Sequence, residues 1–320
     1  MPTIQEQAQW LRMLWGGFWS SRIIITANNL GLFDLMTEAK SAAEIAAEAA
    51  CDPRATQQLL NALTALQLVK KQQGLYRNAP LSAKFLVRGT PHYQGDILRH
   101  ADNLWNSWSQ LDQVVKSGQP ARASFNHQAF IMGMQNIAGL IAPEVIRAVN
   151  VQGVRHALDL GGGPGTYALE MLRQGAAQVT HFDLPDTTAI AREMITSADV
   201  RGISFQSGDI LQDHPGSGFD LVLLSQFIHA FSPEETRLIF EKAYSCLTPG
   251  GRIAVQEFPF NPDHTSPTQG ALFSINMLVN TPGGRCYPPA EIRSLLRQAG
   301  FCSATSSTVA GNSLTIAKRK

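Results

Sequence analysis

The chain has 320 residues, 44% of them hydrophobic and 16% charged, a balance that fits a packed globule and excludes a disordered chain. Its 26 basic and 25 acidic side chains leave a formal net charge of +1, so no global field recruits nucleic acid or an anionic membrane. The length suits two domains rather than one small core.

Residues 5–28 carry Trp10, Leu11, Leu14, Trp15, Phe18 and Trp19 at helical spacing, a broad apolar stripe. A helix this aromatic has to be covered, and a partner subunit is the expected cover, hence a homodimer through the N-terminal domain. Ser41-Ala42-Ala43-Glu44 reads as a capping box that opens a short helix. Asp52-Pro53 opens another, with the aspartate as N-cap and the proline in the first turn. Leu59, Leu60, Leu63, Leu66 and Leu68 line its apolar side, and residues 69–76 read as a hairpin. Helix, turn, helix and wing raise DNA binding as a hypothesis. Charge argues against it. Between Ser41 and Leu68 stand Glu44, Glu48 and Asp52 against Arg54 alone, too little positive charge to neutralise phosphates.

Two further helical stretches follow at 95–119 and 125–149. Their Met and aromatic positions are mainly core, and some could roof a flat apolar substrate. Trp105, Phe130 and Met134, with Met277 and Asn280 further on, are the expected pocket walls. The division expected is a winged-helix-like domain over 1–95, pocket helices over 96–150 and a cofactor domain over 151–320.

In the third part, an apolar run reaches Leu160 and breaks into Gly161-Gly162-Gly163-Pro164-Gly165, after which a helical pattern begins at Thr166. Strand, tight turn and helix open a parallel α/β sheet. A dinucleotide fold wants G-x-G-x-x-G, but Thr166 stands where its third glycine belongs. The spacing present is D-x-G-x-G-x-G, starting at Asp159. That arrangement resembles motif I of S-adenosylmethionine-dependent methyltransferases. The next strand ends at Asp183, 22 residues after Gly161, where nucleotide folds place the acid that accepts from ribose hydroxyls. His181 on that strand reads as a core histidine. A third strand over 203–210 runs into Gly208-Asp209-Ile210, an adenine contact or a simple Gly-Asp turn.

Residues 220–225 form a continuous apolar strand, as a parallel strand buried on both faces should. His229 and Phe231 follow at its carboxyl end, the edge where such sheets bind ligands. Ser232 caps a helix to Cys246, a fifth strand over 252–258 contains Glu257, and a helix over 289–299 precedes a hairpin, 301–309 with 313–318. The fold class expected is α/β: a seven-strand Rossmann-like sheet with an N-terminal all-α, winged-helix dimerisation domain.

Cys51, Cys246, Cys286 and Cys302 show no C-x-x-C and no pairing with histidine, which points to reduced thiols and no metal. Apolar runs such as 23–25 and 221–224 are too short for a bilayer, and no signal peptide is evident. The expectation is a cytoplasmic protein with a small-molecule substrate and neither nucleic acid nor membrane as partner.

Over nearly its whole length the chain resembles the small-molecule O-methyltransferases related to plant caffeic-acid and animal acetylserotonin methyltransferases, in the form common in bacteria. The residues that carry this are Leu30-Gly31-Leu32-Phe33-Asp34, Tyr76-Arg77-Asn78, the run from Leu158 to Gly165, Phe182-Asp183-Leu184-Pro185, Gly208-Asp209-Ile210 and the segment 229–234. The resemblance implies S-adenosylmethionine as cofactor, held by Asp159, Gly161, Gly163, Gly165, Asp183, Leu184, Gly208, Asp209, Ile210, Ser225 and Phe231. It implies His229 as the general base that deprotonates a substrate hydroxyl, and Glu257 as the group that holds the imidazole. Two departures stand out: Cys286 occupies the place of a second histidine-supporting glutamate of the plant enzymes, and Ser225 that of a lysine. Transfer to carbon or nitrogen, or a regulator that only binds the cofactor, stay open as alternatives.

Overall fold

The computed structural model describes residues 2–196 and 200–320. The chain separates into two compact units, Met1–Asn103 and Leu104–Lys320.

The first unit holds α1 (Ile4–Gly16), α2 (Phe18–Asn29), α3 (Leu32–Leu35), β1 (Lys40–Ser41), α4 (Ala42–Glu48), α5 (Pro53–Ala65), β2 (Val69–Gln72), β3 (Leu75–Asn78), α6 (Pro80–Phe85) and the start of α7 (Gly95–Trp108). The expected aromatic helix is two helices, divided at Gly16 and Gly17, where a pair of residues with no Cβ weakens helical continuity. The hairpin closes on Gln73 and Gly74, with φ of 50° and 79°, as a two-residue turn between right-twisted strands requires. β1 adds a third antiparallel strand against Tyr76 and Leu75, too short to leave a pattern in the sequence. Ser41 and Glu44 make their capping box in full, and Asp52 accepts from the Ala55 N–H at 2.7 Å. Ala27, Phe33, Met36, Ile45, Leu60 and Leu63 make the core of this unit, while Trp10, Leu14, Trp15 and Trp19 of the first two helices are each more than half exposed.

The second unit continues with α8 (Leu111–Ser117), α9 (His127–Val149), β4 (His156–Leu160), α10 (Thr166–Arg173), β5 (Gln178–Asp183), α11 (Pro185–Thr196), β6 (Ile203–Ser207), β7 (Phe219–Ser225), α12 (Pro233–Cys246), β8 (Leu247–Glu257), α13 (Thr268–Asn280), α14 (Pro289–Gln298), β9 (Cys302–Val309) and β10 (Asn312–Lys318). One seven-stranded sheet runs in the order β6-β5-β4-β7-β8-β10-β9. The first five are parallel, and β10 is antiparallel to both of its neighbours. From β4 the chain winds one way through β5 and β6, then returns to β7 and winds the other way. The crevice outside the carboxyl ends of β4 and β7 is therefore the topological switch point, the place where such sheets hold ligands.

Leu221, Val222, Leu223 and Leu224 are fully buried, each facing a helical layer on one side of the sheet or the other, which is why β7 needs no alternation. The stretch 95–119 divides into α7 and α8 at Ser109 and Gln110, where the N–H of Gln110 turns back to the carbonyl of Ser107. The third strand stops at Ser207, short of Ile210, because the Asp209 carboxylate builds a turn instead, accepting from the Leu211 N–H at 2.9 Å. No side-chain cap marks the start of α13, whose N-cap is Pro267. α9 has 23 residues and a mean hydropathy of 1.4 over its most apolar window, the one helix among the described residues long and apolar enough to cross a membrane. Its residues Ala142, Val145, Ile146 and Val149 pack in the sheet's core with Tyr167 and Met171.

Candidate active site

The glycine turn is built by two close approaches and one open position. Gly161 has φ of +72°, and a Cβ there would stand 2.1 Å from the Phe227 ring. At Gly165 it would stand 2.4 Å from Ile195. Gly163 differs: its φ is +53°, yet an added Cβ would meet no atom within 4 Å. Its N–H donates to Asp183 Oδ2 at 2.8 Å, while the other oxygen of Asp183 accepts from the Leu184 N–H at 2.7 Å. His181, fully buried, bonds the Gly163 carbonyl through Nε2 at 3.0 Å, so the expected core histidine turns out to brace the turn. Burial holds its basicity below the usual imidazole range.

Under the turn lies Asp159, 1% exposed, with its Oδ2 lacking a hydrogen-bond partner. Burial, and then the charge of Asp183, pushes its carboxyl up to about 7. A buried carboxylate oxygen with no donor is a group in want of a cation or a hydrogen-bond donor. Asp159 and Asp183 beside an open glycine fit a cofactor that carries a sulfonium and an ammonium. Gly208 is buried, its would-be Cβ 2.7 Å from Phe182, and Ile210 is buried behind it. Both carboxylate oxygens of Asp209 are engaged locally, by the Leu211 N–H and the Gln212 side-chain amide. Leu184 is half exposed, and Phe231 packs against Phe227 at a centroid distance of 5.0 Å.

Beyond β7 the chain makes one turn of 3-10 helix, Ile228–Ala230, that carries His229. Its Nδ1 stands 2.7 Å from Glu257 Oε2 at the end of the neighbouring strand β8. The second oxygen of Glu257 accepts from the backbone N–H of Phe227 at 2.9 Å and of His229 at 3.3 Å. Three donors thus hold a carboxylate that is 2% exposed, while the imidazole side chain keeps 12%. Nε2 has no hydrogen-bond partner among the described residues, so one ring nitrogen is anchored and the other is available. The Phe273 ring stands across the imidazole at 4.9 Å and 85°.

Sequence reasoning missed three residues here. Gln256, fully buried, accepts from Tyr167 at 3.4 Å and from the Ser225 hydroxyl, which places Ser225 under the site in a polar cluster. Its signal was a lone polar residue at the end of the apolar run Ile253-Ala254-Val255. Phe258 and Phe273 pack at 4.0 Å and 30° beside His229; Phe273 lies on α13, a helix with no side-chain cap to mark its start. On α13, Met277 is buried. Asn280 is exposed, and its amide donates back to Asn276. Asn276 also accepts from Trp108 at 2.8 Å. Trp105, Phe130 and Met134 are half buried. Among the described residues no cluster of histidine, cysteine or acids could hold a metal.

A glycine turn, two acids and a carboxylate-anchored histidine meet at the switch point of this sheet, and likeness to known proteins puts the fold among S-adenosylmethionine-dependent methyltransferases. Residues 115–302 match the O-methyltransferase domain family and residues 13–88 the O-methyltransferase dimerisation domain family. The chain is 32% identical to 3-hydroxy-5-methyl-1-naphthoate 3-O-methyltransferase of Streptomyces sahachiroi, across 90% of this chain and 87% of that one. It is 30% identical to acetylserotonin O-methyltransferase of Macaca mulatta, across 89% and 90%. The crystal structure of human N-acetylserotonin methyltransferase in complex with SAM superposes with a TM-score of 0.90 at 26% identity, covering 100% of this chain and 99% of that one. The chain belongs to the O-methyltransferase family: it is an S-adenosylmethionine-dependent enzyme that methylates oxygen on small molecules. Oxygen is thereby selected over carbon or nitrogen, and an enzyme over a regulator.

Proposed function

We propose that the acceptor is a hydroxyl on a small aromatic molecule and that His229 is the general base. The observation that carries this is the 2.7 Å bond between His229 Nδ1 and Glu257, which leaves Nε2 available at the carboxyl end of the strand next to the glycine turn's. When bound, S-adenosylmethionine supplies an activated methyl on a sulfonium. A phenol titrates near ~10 and is a poor nucleophile at neutral pH, whereas a histidine side chain ordinarily titrates near ~6.5. Nε2 takes the hydroxyl proton as the oxygen attacks, and Glu257 fixes the tautomer and balances the imidazolium that forms. Such help is worth on the order of 10²–10⁴ in rate.

In this reading Gly161, Gly163 and Gly165, with Asp159, hold the methionine part of the cofactor, and Asp183 and Leu184 the ribose. Gly208, Asp209, Ile210 and Phe231 hold the adenine end, Asp209 through the carboxylate lone pairs that its turn leaves over, and Ser225 supports the cofactor site from below. Trp105, Phe130, Met134, Met277 and Asn280 wall the acceptor. Residues 1–95 dimerise, 96–150 shape the pocket and 151–320 bind the cofactor. Support for an aromatic acceptor comes from the relative named for a hydroxynaphthoate. Support for a homodimer comes from the matched dimerisation family and the exposed tryptophans. Four free thiols agree with a cytoplasmic setting. A screen of phenolic and aliphatic hydroxyl compounds with methyl-labelled cofactor tests the reading: label on phenolic oxygen is expected, and turnover of aliphatic alcohols alone overturns it.

A further inference from the structure

We propose that Phe273, backed by Phe258, is the second positioning group of the His229 imidazole, replacing a carboxylate that position 286 does not provide. The proposal rests on reading His229 as the base.

One hydrogen bond fixes one point of a ring. The bond from Nδ1 to Glu257 sets where that nitrogen lies, but the imidazole can still swing about the line of the bond. A second contact off that line is needed to aim Nε2. Cys286 is buried near Glu257, whose charge adds to burial in pushing its thiol up to about 12, so it stays neutral and brings no second anion. What stands across the ring is Phe273, 4.9 Å away and at 85°, a perpendicular aromatic contact that resists rotation of either ring. Phe273 is itself clamped by Phe258, at 4.0 Å and 30°. Phe258 follows Glu257 directly in the chain, and its own ring lies 5.9 Å from the imidazole. Anchor and clamp therefore leave the same strand end. The backbone of His229 is pinned independently, its carbonyl accepting from the Arg285 N–H at 2.8 Å, so the aromatic pair acts on the side chain alone.

Full-length enzyme labelled with ¹⁵N-histidine provides a readout that needs no acceptor. In long-range ¹H–¹⁵N spectra, with the His229 signal assigned by its loss in His229→Gln, the wild type is expected to show one tautomer, protonated on Nδ1. Phe273→Leu is expected to keep that tautomer, which Glu257 sets, and to lower kcat about tenfold or more on the acceptor found by screening, with the KM for S-adenosylmethionine within about twofold, as misaimed groups do. Phe273→Tyr is expected to return kcat to within about twofold of wild type. A Phe273→Leu protein with a kcat within twofold of wild type, or one that loses the tautomer and so the bond to Glu257, overturns the proposal. Should that variant fail to fold in a thermal melt, Phe258→Leu is read in the same spectra by the same criteria. Full turnover in His229→Gln would sink the general-base reading instead, a separate outcome.

Discussion

Glu257 bonds the side chain of His229 with one carboxylate oxygen and its backbone with the other, at 2.7 and 3.3 Å. One residue thus sets both the turn that presents the imidazole and the nitrogen that stays free. Substituting Glu257→Gln keeps the volume but removes the charge, and it turns an amide N–H toward donors. On the proposed mechanism kcat falls on the order of 10²–10⁴, the scale of general-base help. Cofactor affinity, read by calorimetry, stays within about threefold. A Glu257→Gln enzyme with wild-type kcat would remove the glutamate from the chemistry.

His229→Gln isolates the base. Glutamine can keep a polar contact with Glu257 but cannot take a proton, so turnover should fall by about 10² or more while cofactor binding is retained. Steady-state rates with labelled cofactor measure the first and calorimetry the second. Unchanged turnover would leave proximity as the whole of catalysis.

Asp159 makes the stability of the cofactor-free protein depend on pH. Burial, and then the charge of Asp183, pushes the Asp159 carboxyl up to about 7 from the ordinary 3.8 by disfavouring the anion. The folded state therefore holds a proton that the unfolded state releases, and this contribution is complete below the unfolded value and lost as pH rises through about 7. Asp159→Asn removes it. The melting temperature of the variant, relative to wild type, should rise from pH 5 to pH 7.5 and level off above that. A difference that is flat or opposite in sign across this window contradicts the assignment.

Most of the scaffold could be read from residues because local rules and global packing agreed there. The capping boxes at Ser41 and Ser232, the Asp52-Pro53 start and the fully apolar strand from Leu221 to Leu224 all form as their chemistry requires. So did the meeting of Gly161, Asp183 and His229 at one sheet edge, since the parallel order fixes which strand ends are neighbours. What could not be read depends on contacts between distant segments. No local pattern says that Phe273 crosses His229 or that Trp108 donates to Asn276. Helix boundaries failed where two helices abut without a strong stop, at Gly17 and at Gln110.

Gly161 and Gly163 should respond to alanine in opposite ways. At Gly161 a methyl group would overlap the Phe227 ring as well as sit at positive φ, so Gly161→Ala is expected to lower the melting temperature strongly. At Gly163 only the left-handed backbone is penalised, by about 1–2 kcal/mol, and the methyl enters open space beside Asp183. Gly163→Ala should therefore fold and lose cofactor affinity by about tenfold or more, the equivalent of one displaced contact of ~1.4 kcal/mol. Equal melting temperatures for the two variants, or full affinity in Gly163→Ala, would show that the turn does not divide its labour this way.

The exposed tryptophans of the first two helices call for a partner. Trp10, Trp15 and Trp19 are 63%, 56% and 57% exposed, and Trp15 and Trp19 meet edge to face at 5.7 Å, forming one aromatic ridge. Leu11, Met13, Leu14 and Phe18 extend it, a patch too continuous for a surface left in water. Buried at a dimer interface, a central tryptophan is worth about 2 kcal/mol or more. Replacing both Trp15 and Trp19 with lysine should then weaken the dimer by about 10³-fold or more, with 1.4 kcal/mol for each factor of ten. Sedimentation velocity at micromolar protein should show a dimer for wild type and a monomer for the double variant, with unchanged helical content by circular dichroism. A wild-type monomer, or a double variant that stays dimeric, would place the subunit contact elsewhere.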